Sequence, residues 1–106
     1  MADILVNEGQ WKSLSKDEQD NITKGLRSTG AMKTGDQIVG SAASPVFDKN
    51  TKMEPLWNPI EDLCKAACDV AAGAGAAWCT ANTAGIALAA CLAASEAARR
   101  ECRKHC

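Results

Sequence analysis

The chain reads as all-α: a C-terminal antiparallel helical hairpin laddered by three nested disulfides, preceded by a small, partly helical N-terminal region. Three observations lead there. The six cysteines follow the spacing C-x3-C-x10-C-x11-C-x10-C-x3-C, a mirror about Gly85. All of them lie in an alanine-rich second half, and alanine is the strongest helix former. Helix-start signals stand before Lys16 and before Ile60.

From the N-terminus, residues 1–58 form a polar, cysteine-free leader or shielding region. Its first ten residues hold one short apolar run, Ile4-Leu5-Val6, preceded by Asp3, which is no secretory signal peptide. Ser15-Lys16-Asp17-Glu18 is a capping-box signature and opens a helix near 15–28 that ends at Gly30. Ile22 and Leu26 share a face of it, with Trp11 and Leu14 placed to pack near its start. A shorter element covers Gly35 to Val39, and Gly40 to Pro55 reads as a linker.

Residues 59–106 form the stapled unit. Asn58 caps, Pro59 suits the first helical position, and Glu61 and Asp62 favour the positive end of the helix dipole. The first arm runs to about Thr80. Thr83 is placed to cap the second arm, Gly85 eases the turn, and Arg99, Arg100, Arg103 and Lys104 complement the dipole at the far end.

Six cysteines allow fifteen connectivities, which geometry narrows. Positions four apart share a helix face, and eleven residues make almost three turns. Cys64, Cys68 and Cys79 thus form one stripe; Cys91, Cys102 and Cys106 form another. Folding at Gly85 pairs Cys64 with Cys106, Cys68 with Cys102, and Cys79 with Cys91. Disulfides need Cα atoms roughly 4.4–6.8 Å apart, closer than ordinary helix axes at about 8–10 Å. The mirror sets Ala72 opposite Ala98 and Gly75 opposite Ser95, all small enough for that approach.

A competing use of the same residues is a zinc site of Cys64, Cys68, Cys102 and Cys106 with His105 nearby, which leaves Cys79 and Cys91 unexplained. No metal or cofactor is therefore expected. Cys102 and His105 lack an oxyanion loop and a third orienting group, so the chain is not read as an enzyme. A net charge of -1, without a basic stripe, argues against nucleic acid as a partner. The even cysteine count points to an oxidising destination, reached without a standard signal, or else to another use of the thiols in a reducing compartment.

No charged residue occurs from Val70 through Ser95. Trp78, Ile86, Leu88 and Leu92 supply most of the bulk there and are expected at a membrane- or receptor-facing tip. Arg99, Arg100, Arg103 and Lys104 are expected to bind an anionic surface. The plainer expectation is that the apolar flank of Ile60, Leu63, Val70 and Trp78 packs on the N-terminal half, against Trp11, Ile22, Leu26, Val46 and Phe47.

A polar cysteine-free leader before an Ala/Gly- and Cys-rich helical peptide resembles the bacteriocin precursors of the halocin-like kind, and the nested pairs resemble the hairpin of glycosylated bacteriocins. The resemblance is architectural and covers mainly residues 59–106. It implies a secreted antimicrobial precursor acting on the membrane or an envelope receptor of competing microbes, with a dedicated exporter and an immunity protein as partners. A second resemblance is to twin-cysteine helical hairpins of the mitochondrial intermembrane space and to plant hairpin peptides with C-x3-C pairs. Here Cys68-x10-Cys79 and Cys91-x10-Cys102 are one residue longer than the usual twin spacing. That family implies a non-toxic interaction or assembly module.

Overall fold

Short-range signals set the N-terminal elements. The computed structural model describes residues 3–44 and 63–105. Strand β1 (Asp3–Asn7) leads directly into the one-turn helix α1 (Glu8–Lys12), because the Asn7 side chain turns back to accept the Gln10 amide at 3.0 Å. Helix α2 (Lys16–Thr29) begins with the full capping box. Ser15 Oγ accepts the Glu18 amide and Glu18 accepts the Ser15 amide, both at 3.1 Å. It stops at Gly30, which adopts the left-handed conformation, and the Met32 amide closes on the Leu26 carbonyl. Arg27 then donates to the Asp36 carbonyl at 2.6 Å, fixing the turn into β2 (Gln37–Ser41).

β1 and β2 pair in parallel, with Ile4 beside Ile38 and Val6 beside Gly40. This corrects the all-α expectation: the described residues are mostly helical, with four helices, and also hold this small strand pair. Ile4 and Val6 are buried while Leu5 is exposed, the alternation of a strand with one covered face. The element expected at Gly35 to Val39 is β2, which extends through Gly40 and Ser41.

Helices α3 (Leu63–Asn82) and α4 (Gly85–Lys104) occupy the alanine-rich half. The expected Asn58–Pro59 start lies outside the described residues. Two further details differ from expectation. α3 continues to Asn82, and Thr83 donates its hydroxyl back to the Cys79 carbonyl at 2.6 Å, so Ala84 occupies the α4 N-cap without a side-chain bond.

Two of the mirror pairs are present as disulfides. Cys68–Cys102 has Cα atoms 5.8 Å apart and Cys79–Cys91 has them 5.7 Å apart. The pair Cys64–Cys106 involves Cys106, which lies outside the described residues. Of the small residues expected at the seam, Gly75 meets Ser95. Ala72, Gly75, Ser95 and Ala98 are all buried, and Ser95 Oγ donates to the Ala72 carbonyl at 3.0 Å. A Cβ placed on Gly75 would lie 2.8 Å from Ser95 Oγ, 2.7 Å from the Ala31 methyl just past α2 and 3.1 Å from Leu26 Cδ2 on α2, so α2, α3 and α4 converge on that glycine.

One hydrophobic core runs through both halves. Ile4, Val6, Trp11, Leu14, Ile22 and Leu26 join it from the N-terminal side. Cys79, Ala87, Ala90, Cys91, Ala94 and Ala98 join it from the helix pair. Alanine contributes little area per residue, so the large side chains of the polar half supply the bulk that α4 lacks. Ile60, Val46 and Phe47, named as packing residues, lie outside the described residues.

Candidate functional site

Three surfaces of the α3–α4 pair carry chemistry: a buried charge cluster, a cavity beside it, and the outer face of α3. The cluster grows from Asp69, one residue beyond Cys68. Folding the chain at Gly85 brings Asp69 level with Glu101 in the mirror, within a turn of Arg99 and Arg103. Arg103 Nη1 donates to both Asp69 carboxylate oxygens, at 2.9 and 2.8 Å. Arg99 Nη2 donates to Glu96 Oε1 at 2.6 Å, and Arg99 Nη1 stands 3.7 Å from Asp69. Asp69, Glu96 and Arg99 are 2 %, 4 % and 1 % exposed, so each carboxylate needs its guanidinium to offset lost hydration. Glu96 Oε2 is buried with no hydrogen-bond partner.

This placement alters the expected anionic-surface patch. Arg99 is buried in ion pairs, and Arg103 is largely covered and bonds Asp69 through Nη1. Arg100 points mostly to solvent, 3.6 Å from Glu96, and Lys104 is exposed. Two of the four cations therefore hold the fold, and two face outward. The sequence carries one signal for this: Asp69 and Glu96 flank the uncharged span, where an acidic residue needs a cation.

The expected tip divides in the same way. Trp78 packs its indole on α2 at Gly25, where an added Cβ would lie 2.1 Å from the ring. Leu88 and Leu92 are partly buried against the core. Ile86 alone of the four is exposed, at 58 %. Leu63 and Val70, expected to pack inward, are 87 % and 70 % exposed. They belong to a stripe of exposed apolar residues that continues through Ala67, Ala74, Ala77 and Ala81. Alternating steps of four and three keep these six on one face of α3. No charged residue lies on that stripe. No helix among the described residues is long and apolar enough to cross a membrane.

A cavity of about 470 Å³ opens beside the charge cluster. Ala67, Ala71 and Ala98 form apolar walls, and Cys68 and Cys102 line it together with Cys64. Its polar groups come from Lys33 and Asp36 in the turn after α2, from Glu101 in the last turn of α4 and from His105 just past its end. Asp36 accepts the Lys33 amide at 3.3 Å, and His105 Nε2 lies 3.0 Å from Glu101. Lys33 and Asp36 are far from the cysteines in sequence, which is why the cavity could not be read from spacing. The Cys68–Cys102 bond removes two thiolates that the zinc alternative required, and among the described residues no group of three metal-capable side chains gathers.

No family model, no curated protein and no solved structure matches the chain. Disulfides at Cys68–Cys102 and Cys79–Cys91 fit an extracellular or otherwise oxidising environment.

Proposed function

We propose that the protein is a secreted antimicrobial precursor of the bacteriocin kind, acting without catalysis on the membrane or envelope of competing microbes. In this reading residues 59–106 are the effector, an antiparallel helical hairpin with a third, outer rung at Cys64–Cys106. Residues 1–58 hold it inactive. One observation carries the reading: the N-terminal half covers α4 and takes up Trp78, Leu88 and Leu92, the bulk an amphipathic effector needs. The outer face of α3, and Ile86 at the start of α4, stay exposed as the first contact surface. A dedicated exporter and an immunity protein would accompany such a precursor.

The test compares the oxidised full chain with purified, oxidised 59–106 in leakage of anionic vesicles and in growth inhibition across a broad microbial panel. The full chain is expected to be inert and the separated peptide active. Absence of both leakage and inhibition by the peptide refutes the reading.

A second reading is favoured by the uncharged α3 stripe in the intact fold. A rigid helix face of small residues also suits a non-toxic interaction or assembly module. Retention of a binding partner by the uncleaved chain, without toxicity, would select it.

A further inference from the structure

The two described disulfides sit in opposite surroundings. Cys79 and Cys91 are both fully buried and belong to the hydrophobic core. Cys68 and Cys102 line the 470 Å³ cavity, and Cys102 is partly exposed. Thiol–disulfide exchange requires a thiolate to reach a sulfur along the S–S axis, so access governs its rate. A volume of this size falls in the range of small-molecule sites, about 300–1,000 Å³. Its polar groups carry both signs, Lys33 against Asp36 and Glu101, with the His105 imidazole beside Glu101, and its walls are alanine methyls. An apolar slot with paired charges suits a small zwitterionic thiol, bearing an amino group and a carboxylate, better than an anion or a cation alone.

We propose that this cavity is an exchange site for a small amino-acid- or peptide-type thiol, through which the Cys68–Cys102 bridge opens while Cys79–Cys91 stays closed. The thiol loses its proton to solvent and its thiolate attacks Cys102 Sγ. The Cys68–Cys102 bond breaks, a mixed disulfide forms on Cys102, and Cys68 leaves as a thiolate that takes a proton from water. A second thiol attacks the mixed disulfide, releasing the oxidised thiol dimer and the Cys102 thiolate. Two electrons pass from two thiols to one protein disulfide. The helix pair then keeps its core rung next to the turn and loses the Cys68–Cys102 rung beside the charge cluster. This assignment does not depend on toxicity, because the readout is covalent.

Oxidised full-length protein is titrated with reduced glutathione, quenched by alkylation and mapped by mass spectrometry. Alkylation or glutathione adducts at Cys68 and Cys102 are expected at least about tenfold faster than labelling of Cys79 and Cys91, because buried sulfurs exclude the attacking thiolate. Ala67→Trp, an exposed wall position, is expected to slow opening of Cys68–Cys102 several-fold while leaving Cys79–Cys91 and the melting temperature unchanged. Simultaneous opening of both bridges, or an Ala67→Trp rate equal to that of the parent, overturns the site. An equal rate with 2-mercaptoethanol at matched thiolate concentration overturns the zwitterionic ligand class.

Discussion

Replacing Arg99 by Met tests whether the buried charges behave as a dry, paired cluster. The substitution keeps an unbranched apolar stem, so little cavity is created, but it removes the cation 2.6 Å from Glu96. Asp69 keeps both bonds to Arg103 and stays compensated. Glu96 keeps only Arg100, 3.6 Å away on a side chain 59 % exposed, a contact worth little in solvent. One carboxylate, 4 % exposed, is therefore orphaned rather than two. Breaking a buried pair costs about 3–5 kcal/mol, and with one orphan the lower end applies, about 3 kcal/mol. At roughly 4–8 °C per kcal/mol for a domain near 100 residues, the melting temperature should fall by about 12–24 °C.

Urea and thermal unfolding of the oxidised full chain measure this directly. The double variant Glu96→Leu, Arg99→Met removes both charges and should return to within about 1 kcal/mol of the parent, since apolar replacement of a buried pair is often neutral. The cycle thus separates the charge from its packing. A loss below about 1 kcal/mol for Arg99→Met would mean that the cluster is effectively hydrated. A double variant as unstable as the single would mean that the arginine stem, not its charge, matters.

Two other substitutions probe the surfaces next to it. Gly25→Ala sets a methyl 2.1 Å from the Trp78 ring and should cost about 1–2 kcal/mol in the same unfolding assay, despite the better helix propensity of alanine; an increase in stability would show that the indole does not press on α2. Val70→Glu alters a side chain 70 % exposed, so the full chain should unfold within about 0.5 kcal/mol of the parent. Under the proposed function the same change in 59–106 should reduce vesicle leakage several-fold, and undiminished leakage would remove the α3 face from the contact surface.

What could be read from residues alone was what local spacing encodes. The capping box at Ser15 specifies α2 within four residues, and the cysteine mirror with its small seam residues specifies the two observed rungs. The β1–β2 pair escaped for a physical reason. Ile4-Leu5-Val6 is too short for a convincing period of two, and its partner lies 34 residues on, across α1 and α2. A parallel pair needs such a crossover, and nothing in either strand announces the other. The tip residues lie elsewhere than expected for a related reason. Bulk at Trp78, Leu88 and Leu92 identifies hydrophobes, but whether they face solvent depends on α2 and β1 arriving to cover them. Arg99 followed the same logic in reverse: a cation at a helix end favours the dipole, yet Asp69 and Glu96 draw it into the interior.

The continuous core also constrains how the proposed precursor would be activated. Ile4, Val6, Trp11, Ile22, Leu26 and Met32 are all buried, and at about 1.5–3 kcal/mol for each large side chain their gross burial is on the order of 10 kcal/mol. A single cut between the halves leaves that contact in place, because covalent linkage is not what holds the indole of Trp78 against Gly25. Cleavage alone should therefore yield a nicked but associated and inactive pair. Activity would require the N-terminal half to unfold or be drawn away, and the helix pair could survive that step because its disulfides do not depend on the lost neighbours. The alanine-rich composition then has a consistent cause. Alanines let the two helices approach to disulfide distance, and the bulk they fail to provide is supplied by the N-terminal half.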